Sequence, residues 1–178
     1  MSIFDDFNDI SIKENSISKM GLLEILKKYS ETISVYDLMI ITGEMQEDSK
    51  YVQESYRKKS HEVYVRYFLM RINDIKADNN RYMGDIDKND FIDSIARLKS
   101  YQNEESQKFK SKFPLIYTII SLYTTYILDE PIHPVGTPFP GSLKVIEKDG
   151  VYYCPVKDAN LESPNAVCKI CIAEQLEF

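Results

Sequence analysis

At 178 residues, 43% hydrophobic and 28% charged, the chain can bury a sizeable core and is not a disordered polymer. Its formal net charge of −6 argues against broad phosphate binding, so no nucleic-acid partner is expected. The acidic start, Met-Ser-Ile-Phe-Asp-Asp-Phe, lacks the regions of a signal peptide, and the most apolar stretch, Phe113 to Leu128, falls short of a bilayer span; a cytoplasmic protein with no membrane partner is expected.

Residues 1–130 read as helical. Met20, Leu22, Leu23, Ile25 and Leu26 form an apolar face after the caps Ser16 and Ser18. Val35, Leu38, Met39 and Ile41 make a second helix that Gly43 should interrupt. The longest predicted element runs from Tyr51 to Ile75, with Val52, Tyr56, Val63, Tyr67 and Met70 on one stripe. Tyr64, Phe68, Ile72 and Ile75 make an adjacent stripe, so its second half should be surrounded. Arg57, Lys58 and Lys59, near His61 and flanked by Glu54 and Glu62, read as a solvated helix face. Asp78 to Asn80 breaks the pattern, and Asp87 to Asp90 caps a helix carrying Phe91, Ile92, Ile95, Leu98 and Tyr101. Gln102 to Lys112 is polar and expected to be exposed. Pro114 suits the first turn of a helix that is apolar nearly all round through Ile127, as a buried central helix would be.

The composition then shifts. Six of the seven prolines lie from Pro131 onward, and the run His133 to Gly141 cannot be helical. Leu143 to Ile146 and Val151 to Cys154 flank Lys148-Asp149-Gly150, which predicts a β-hairpin turning at Asp-Gly. Ser163-Pro164 reads as the start of a short C-terminal helix through Glu174. The expected fold is mainly α: a helical bundle of about five helices over 1–130, then a small β-hairpin plus helix Cys/His module over 131–178, packed on the bundle.

That module holds the chain's three cysteines and one of its two histidines, spaced His133-x20-Cys154-x13-Cys168-x2-Cys171. Three thiolates and an imidazole make the ligand set of a closed tetrahedral site, most often zinc. On a helix, Cys168 and Cys171 would project from one face, and the first turn would favour their thiolates. Three other readings stay open: buried, unligated thiols; a redox dithiol at Cys168 and Cys171; and an iron–sulfur cluster with one open iron. His133 can be the fourth ligand, a loop cap or a general base oriented by Asp129 or Glu130, and exposed loop acids are the plainer reading of those two. A calcium loop at Asp85, Asp87 and Asn89 fails, because Asp90 and Ala96 stand where glycine and glutamate are needed.

His133-Pro-Val-Gly-Thr-Pro-Phe-Pro-Gly141, Tyr152-Tyr-Cys-Pro-Val-Lys157 and Cys168-Lys-Ile-Cys-Ile-Ala-Glu-Gln175 together resemble a family of methanogenic archaea catalogued as a domain of unknown function. The resemblance implies an anaerobic, intracellular setting in which thiols stay reduced and an iron–sulfur cluster is tolerated. It carries no activity and no cofactor. The expected function is therefore metal binding, with a structural zinc on Cys154, Cys168, Cys171 and His133, and work done by binding a protein or small-molecule partner. The alternative is an iron–sulfur or open-site metal enzyme of anaerobic metabolism.

Overall fold

The computed structural model describes residues 2–13, 16–48, 50, 54–63, 65, 69–108, 111–162 and 167–177. The fold is mainly helical, with small sheets of short strands. Helix α1 (Ile3–Lys13) starts in a reciprocal cap: the Ser2 N–H donates to Asp5 Oδ2 at 2.6 Å and the Asp5 N–H to Ser2 Oγ at 3.3 Å. It buries Ile3, Phe4 and Phe7. Strand β1 (Ile17–Ser18) leads into α2 (Lys19–Ser30), where Ser18 Oγ accepts the Gly21 N–H at 3.0 Å, the capping role its sequence position predicts. Leu22, Leu23 and Leu26 then point into the core.

Helix α3 (Val35–Asp48) runs straight through Gly43, where a side chain would meet nothing, so the expected interruption is absent. Its buried face is also not the expected stripe. Ile41 is buried and Leu38 packs against the core, whereas Val35 and Met39 are 75% and 67% exposed. Ser34 and Asp37 close a capping box at its start. The Ser34 N–H and hydroxyl both donate to Asp37 Oδ2 at 2.7 Å, and Lys112 Nζ joins them at 3.0 Å. The Ser34 N–H, its hydroxyl and then Lys112 hold the Asp37 carboxyl down at about 2. A carboxyl lowered on folding stabilises fully above its unfolded value, near 3.8, and loses that contribution as pH falls toward 2. Asp37→Asn is thus expected to cost about 1 kcal/mol at pH 7 and progressively less below pH 4 in urea unfolding series.

Of the long element expected from Tyr51 to Ile75, the described residues show α4 (Glu54–Val63), π-helical geometry at Val65 and Leu69, an exposed turn at Met70 and then α5 (Arg71–Ala77). Its predicted stripe residues Val52, Tyr64, Tyr67 and Phe68, and its first residue Tyr51, lie outside the described residues. Ile72 and Ile75 are fully buried, as that stripe requires. After α5, strand β2 (Asp85–Ile86) pairs antiparallel with β1, Ile17 opposite Ile86. Helix α6 (Lys88–Lys108) is capped by Asp87, whose Oδ1 accepts the Asp90 N–H at 2.8 Å, and it continues through the polar stretch after Tyr101. Helix α7 (Phe113–Leu122) has Pro114 in its first turn and is buried nearly all round.

From Tyr123 to Leu128 the helix widens to π geometry. Thr124 Oγ1 donates back to the Ile120 and Ser121 carbonyls, competing with the helical ladder there. Asp129, left-handed at φ 54°, ends it. Helix α2 packs against α1, α5, α7 and the π turns, and α6 against α1 and α7, which encloses the main core. Among the described residues no helix is long and apolar enough to cross a membrane.

From residue 131 the backbone is irregular and short-stranded. Strand β3 (Pro138–Phe139) pairs with β4 (Leu143–Lys144), and β5 (Ile146–Lys148) with β6 (Val151–Cys154). The hairpin turns at Asp149 and Gly150, both at positive φ (55° and 79°), as a two-residue Asp-Gly turn demands. A five-residue helix, α8 (Lys157–Leu161), follows at once. The helix expected from Ser163 through Glu174 is not there among the described residues, and Ser163 and Pro164 lie outside them. Residues Val167–Lys169 form one 3₁₀ turn, and β7 (Glu174–Gln175) runs parallel to β6, Cys154 beside Gln175. The edge of β6 offers backbone partners, and Glu174 and Gln175 take them in place of a helical ending. Val145, Cys154 and Ala173 make a second, small core here.

Candidate metal centre

The four residues picked out by spacing come from three separate pieces of backbone. His133 lies in the loop after the π turns, a loop held to the β-structure by the Gly136 N–H donating to the Val145 carbonyl (2.8 Å) and the Val145 N–H to that of Thr137 (3.1 Å). Its ring sits edge-on to Phe139, centroids 5.9 Å apart. Cys154 ends β6. Cys168 is in the 3₁₀ turn, where the Ile170 N–H bonds the Val167 carbonyl and the Cys171 N–H that of Cys168 (3.3 Å). In such a turn side chains three apart eclipse, so Cys168 and Cys171 still share a side although the predicted helix is missing. The helix-dipole reason for lowering their thiols goes with it.

His133, Cys154, Cys168 and Cys171 line one small cavity, with Tyr117 and Ile132 on the bundle side and Lys157 across from them. Its free space, about 10 Å³, is room for a single water-sized body. All three cysteines are free thiols. Among the described residues, no group of three or more His, Cys, Asp or Glu lies placed to hold a metal ion. The cavity is a convergence of ligand types, not a finished polyhedron.

Backbone donors are already aimed at the sulfurs. The Val156 and Lys157 N–H groups donate to the Cys154 sulfur, and the Ile132 N–H donates to Cys171 Sγ at 3.4 Å. At Cys154 such bonds favour thiolate over thiol. Pro155 has no N–H of its own, so it is the next two amides that reach the sulfur. Against this, burial pushes the Cys154 and Cys168 thiols up, and Cys171 beside each pushes them further; Lys157 pulls both down. His133 keeps some accessible surface, yet burial drives its imidazole down to about 4. It is therefore neutral at pH 7, the form that can ligate a metal.

The carboxylates near His133 in sequence are engaged elsewhere. Asp129 pairs with Lys19 at 2.9 Å, and Glu130 with Arg71 at 2.8 Å. Lys157, Tyr117 and Ile132 were not singled out from the sequence. A lysine three places beyond a cysteine and an isoleucine before a histidine carry no spacing signature, and Tyr117 is 16 residues away in the chain from His133.

Residues 18–176 match the family described as an uncharacterized protein conserved in archaea (DUF2115). The chain belongs to this archaeal family. It is 37% identical over 162 residues to a UPF0305 protein of Methanothermobacter thermautotrophicus, covering 89% of this chain and 97% of that one. A UPF0305 protein of Methanocaldococcus jannaschii is 29% identical over 161 residues, 88% of this chain and 95% of its own. One from Methanopyrus kandleri is 35% identical over 124 residues, 68% and 84% of the two chains. No solved structure matches. The family match spans α2 to β7 and so takes in every lining residue of the cavity.

Proposed function

We propose that this protein binds one zinc ion through Cys154, Cys168, Cys171 and His133, and that the ion is structural. The observation that carries the reading is the meeting of those four side chains at one small cavity from three pieces of backbone. Donors on the Cys154 and Cys171 sulfurs and a neutral imidazole support it. The ligands close on the ion as it binds, which ties loop, hairpin and 3₁₀ turn together where the local core is only three buried residues deep. Space for about one water-sized body favours a single ion over a cubane cluster.

The test is elemental analysis of protein purified without oxygen or chelator. One zinc per chain is the expected result. Stoichiometric iron with sulfide would replace zinc by an iron–sulfur cluster and turn the reading toward redox or enzymatic work. No metal would leave three free thiols and end it. His133→Ala then separates a closed site from an open one. A fourth ligand gives up metal affinity and melting temperature together, whereas unchanged metal content and melting temperature rule out the closed site.

A further inference from the structure

The zinc ligands proposed above leave a charge unbalanced. Zinc with three thiolates and a neutral imidazole carries one net negative charge, and burying a net charge away from water is costly unless a counter-charge is buried with it. Lys157 is at the cavity wall by both of its ends. Its backbone N–H donates to the Cys154 sulfur, and its ammonium reaches around to the Cys171 carbonyl at 2.6 Å. The side chain is half-buried and lines the same cavity as the four ligands.

We propose that Lys157 is a charge-balancing and positioning residue of the metal site: its ammonium neutralises the zinc–trithiolate–imidazole centre while its bond to the Cys171 carbonyl holds the Cys168–Cys171 turn against the hairpin. The inference rests on the zinc reading. It adds that the site is built for a centre of one net negative charge, with the fifth protein group supplied by the residue that also begins α8.

Three variants separate charge from scaffolding. Lys157→Met removes the charge and the hydrogen bond, Lys157→Gln removes the charge and keeps a donor, and Lys157→Arg keeps both. Zinc affinity is read by competition with a chromophoric chelator, and the melting temperature of each metal-free protein serves as the fold control. Losing a counter-charge at a partly screened site should weaken zinc about tenfold in the Met and Gln variants, with Arg within about threefold of the parent. Should the Met variant fail to fold, the Gln variant carries the comparison. If the parent loads zinc and the Met and Gln variants bind it equally well, Lys157 is scaffolding and this inference falls while the zinc reading stands. Equal weakening of the Arg and Gln variants would make shape, not charge, the cause, and would also overturn it. If the parent loads no zinc, both fall.

Discussion

Replacing Cys171 with serine is expected to strip the metal and to make the protein melt roughly 8–16 °C lower. The figure follows from two general magnitudes. An ion held at about a thousand times its dissociation constant stabilises the folded state by about 4 kcal/mol, and in a chain of this size each kcal/mol moves the midpoint by about 2–4 °C. Cys171 is the most exposing choice among the three thiols because it packs against both the main core and the small one, and because its sulfur accepts the Ile132 N–H. Serine keeps the size and a hydrogen-bonding atom, so the direct packing loss is small.

The control is a chelator. With EDTA present the parent should lose the same increment, and parent and variant should melt within about 2 °C of each other. A variant that melts low to the same extent with and without EDTA would assign the whole effect to packing and would count against a structural ion. Cys154→Ser should behave alike, since a tetrahedral shell broken at any corner loses most of its affinity.

How much of this could be read beforehand follows the length over which each signal is written. Caps and apolar periodicity are local, so Ser18, Asp87 and Pro114 marked helix starts correctly, and Asp149-Gly150 marked the hairpin. Errors arose where a tertiary partner decided. Val35 and Met39 share one face of α3 and Ile41 lies on the other, and only the Ile41 side meets the core; apolar residues on both sides do not tell which face will find a neighbour. Glu174 and Gln175 went to a strand edge that exists only once the hairpin has formed. The cavity shows both sides of this. Its four ligand-type residues were legible because cysteine and histidine are rare here and cluster in the last quarter of the chain. The groups that tune it, Lys157, Ile132 and Tyr117, are common residue types whose roles come from folding alone.

The bundle wall behind the cavity depends on one carboxylate, and Asp78→Ala is expected to be the most destabilising change outside the Cys/His cluster. Asp78 caps the end of α5 and is buried. Its Oδ2 accepts the Tyr82 and Tyr123 hydroxyls, each at 2.8 Å, and its Oδ1 the Asn80 N–H at 2.9 Å. Burial alone would push this carboxyl up; the hydrogen bonds outweigh it and leave it below its ordinary value. The Tyr123 phenol is driven well up, by burial first and then by that carboxylate, so it stays a donor at any physiological pH.

Alanine there strands two phenols and an amide, the buried Tyr123 among them, and unsatisfied buried groups each cost about 1–3 kcal/mol. A total near 3–5 kcal/mol is expected in urea unfolding at pH 7, with Tyr123→Phe alone costing only about 1 kcal/mol because it removes one neutral donor and leaves the carboxylate its other partners. The sign with pH follows from the lowered carboxyl: the contribution is full above about 3.8 and falls away as pH drops through the folded value below it. The Asp78→Ala penalty should therefore shrink in acid. A penalty that is flat from pH 7 to pH 3 would mean that the carboxylate's charge contributes nothing and that Asp78 matters only for its shape. Because Tyr123 opens the π turns that continue the helix of Tyr117, a loosened Asp78 should also lower metal affinity from a distance. That links the stability of the bundle to the chemistry of the cavity through one buried side chain.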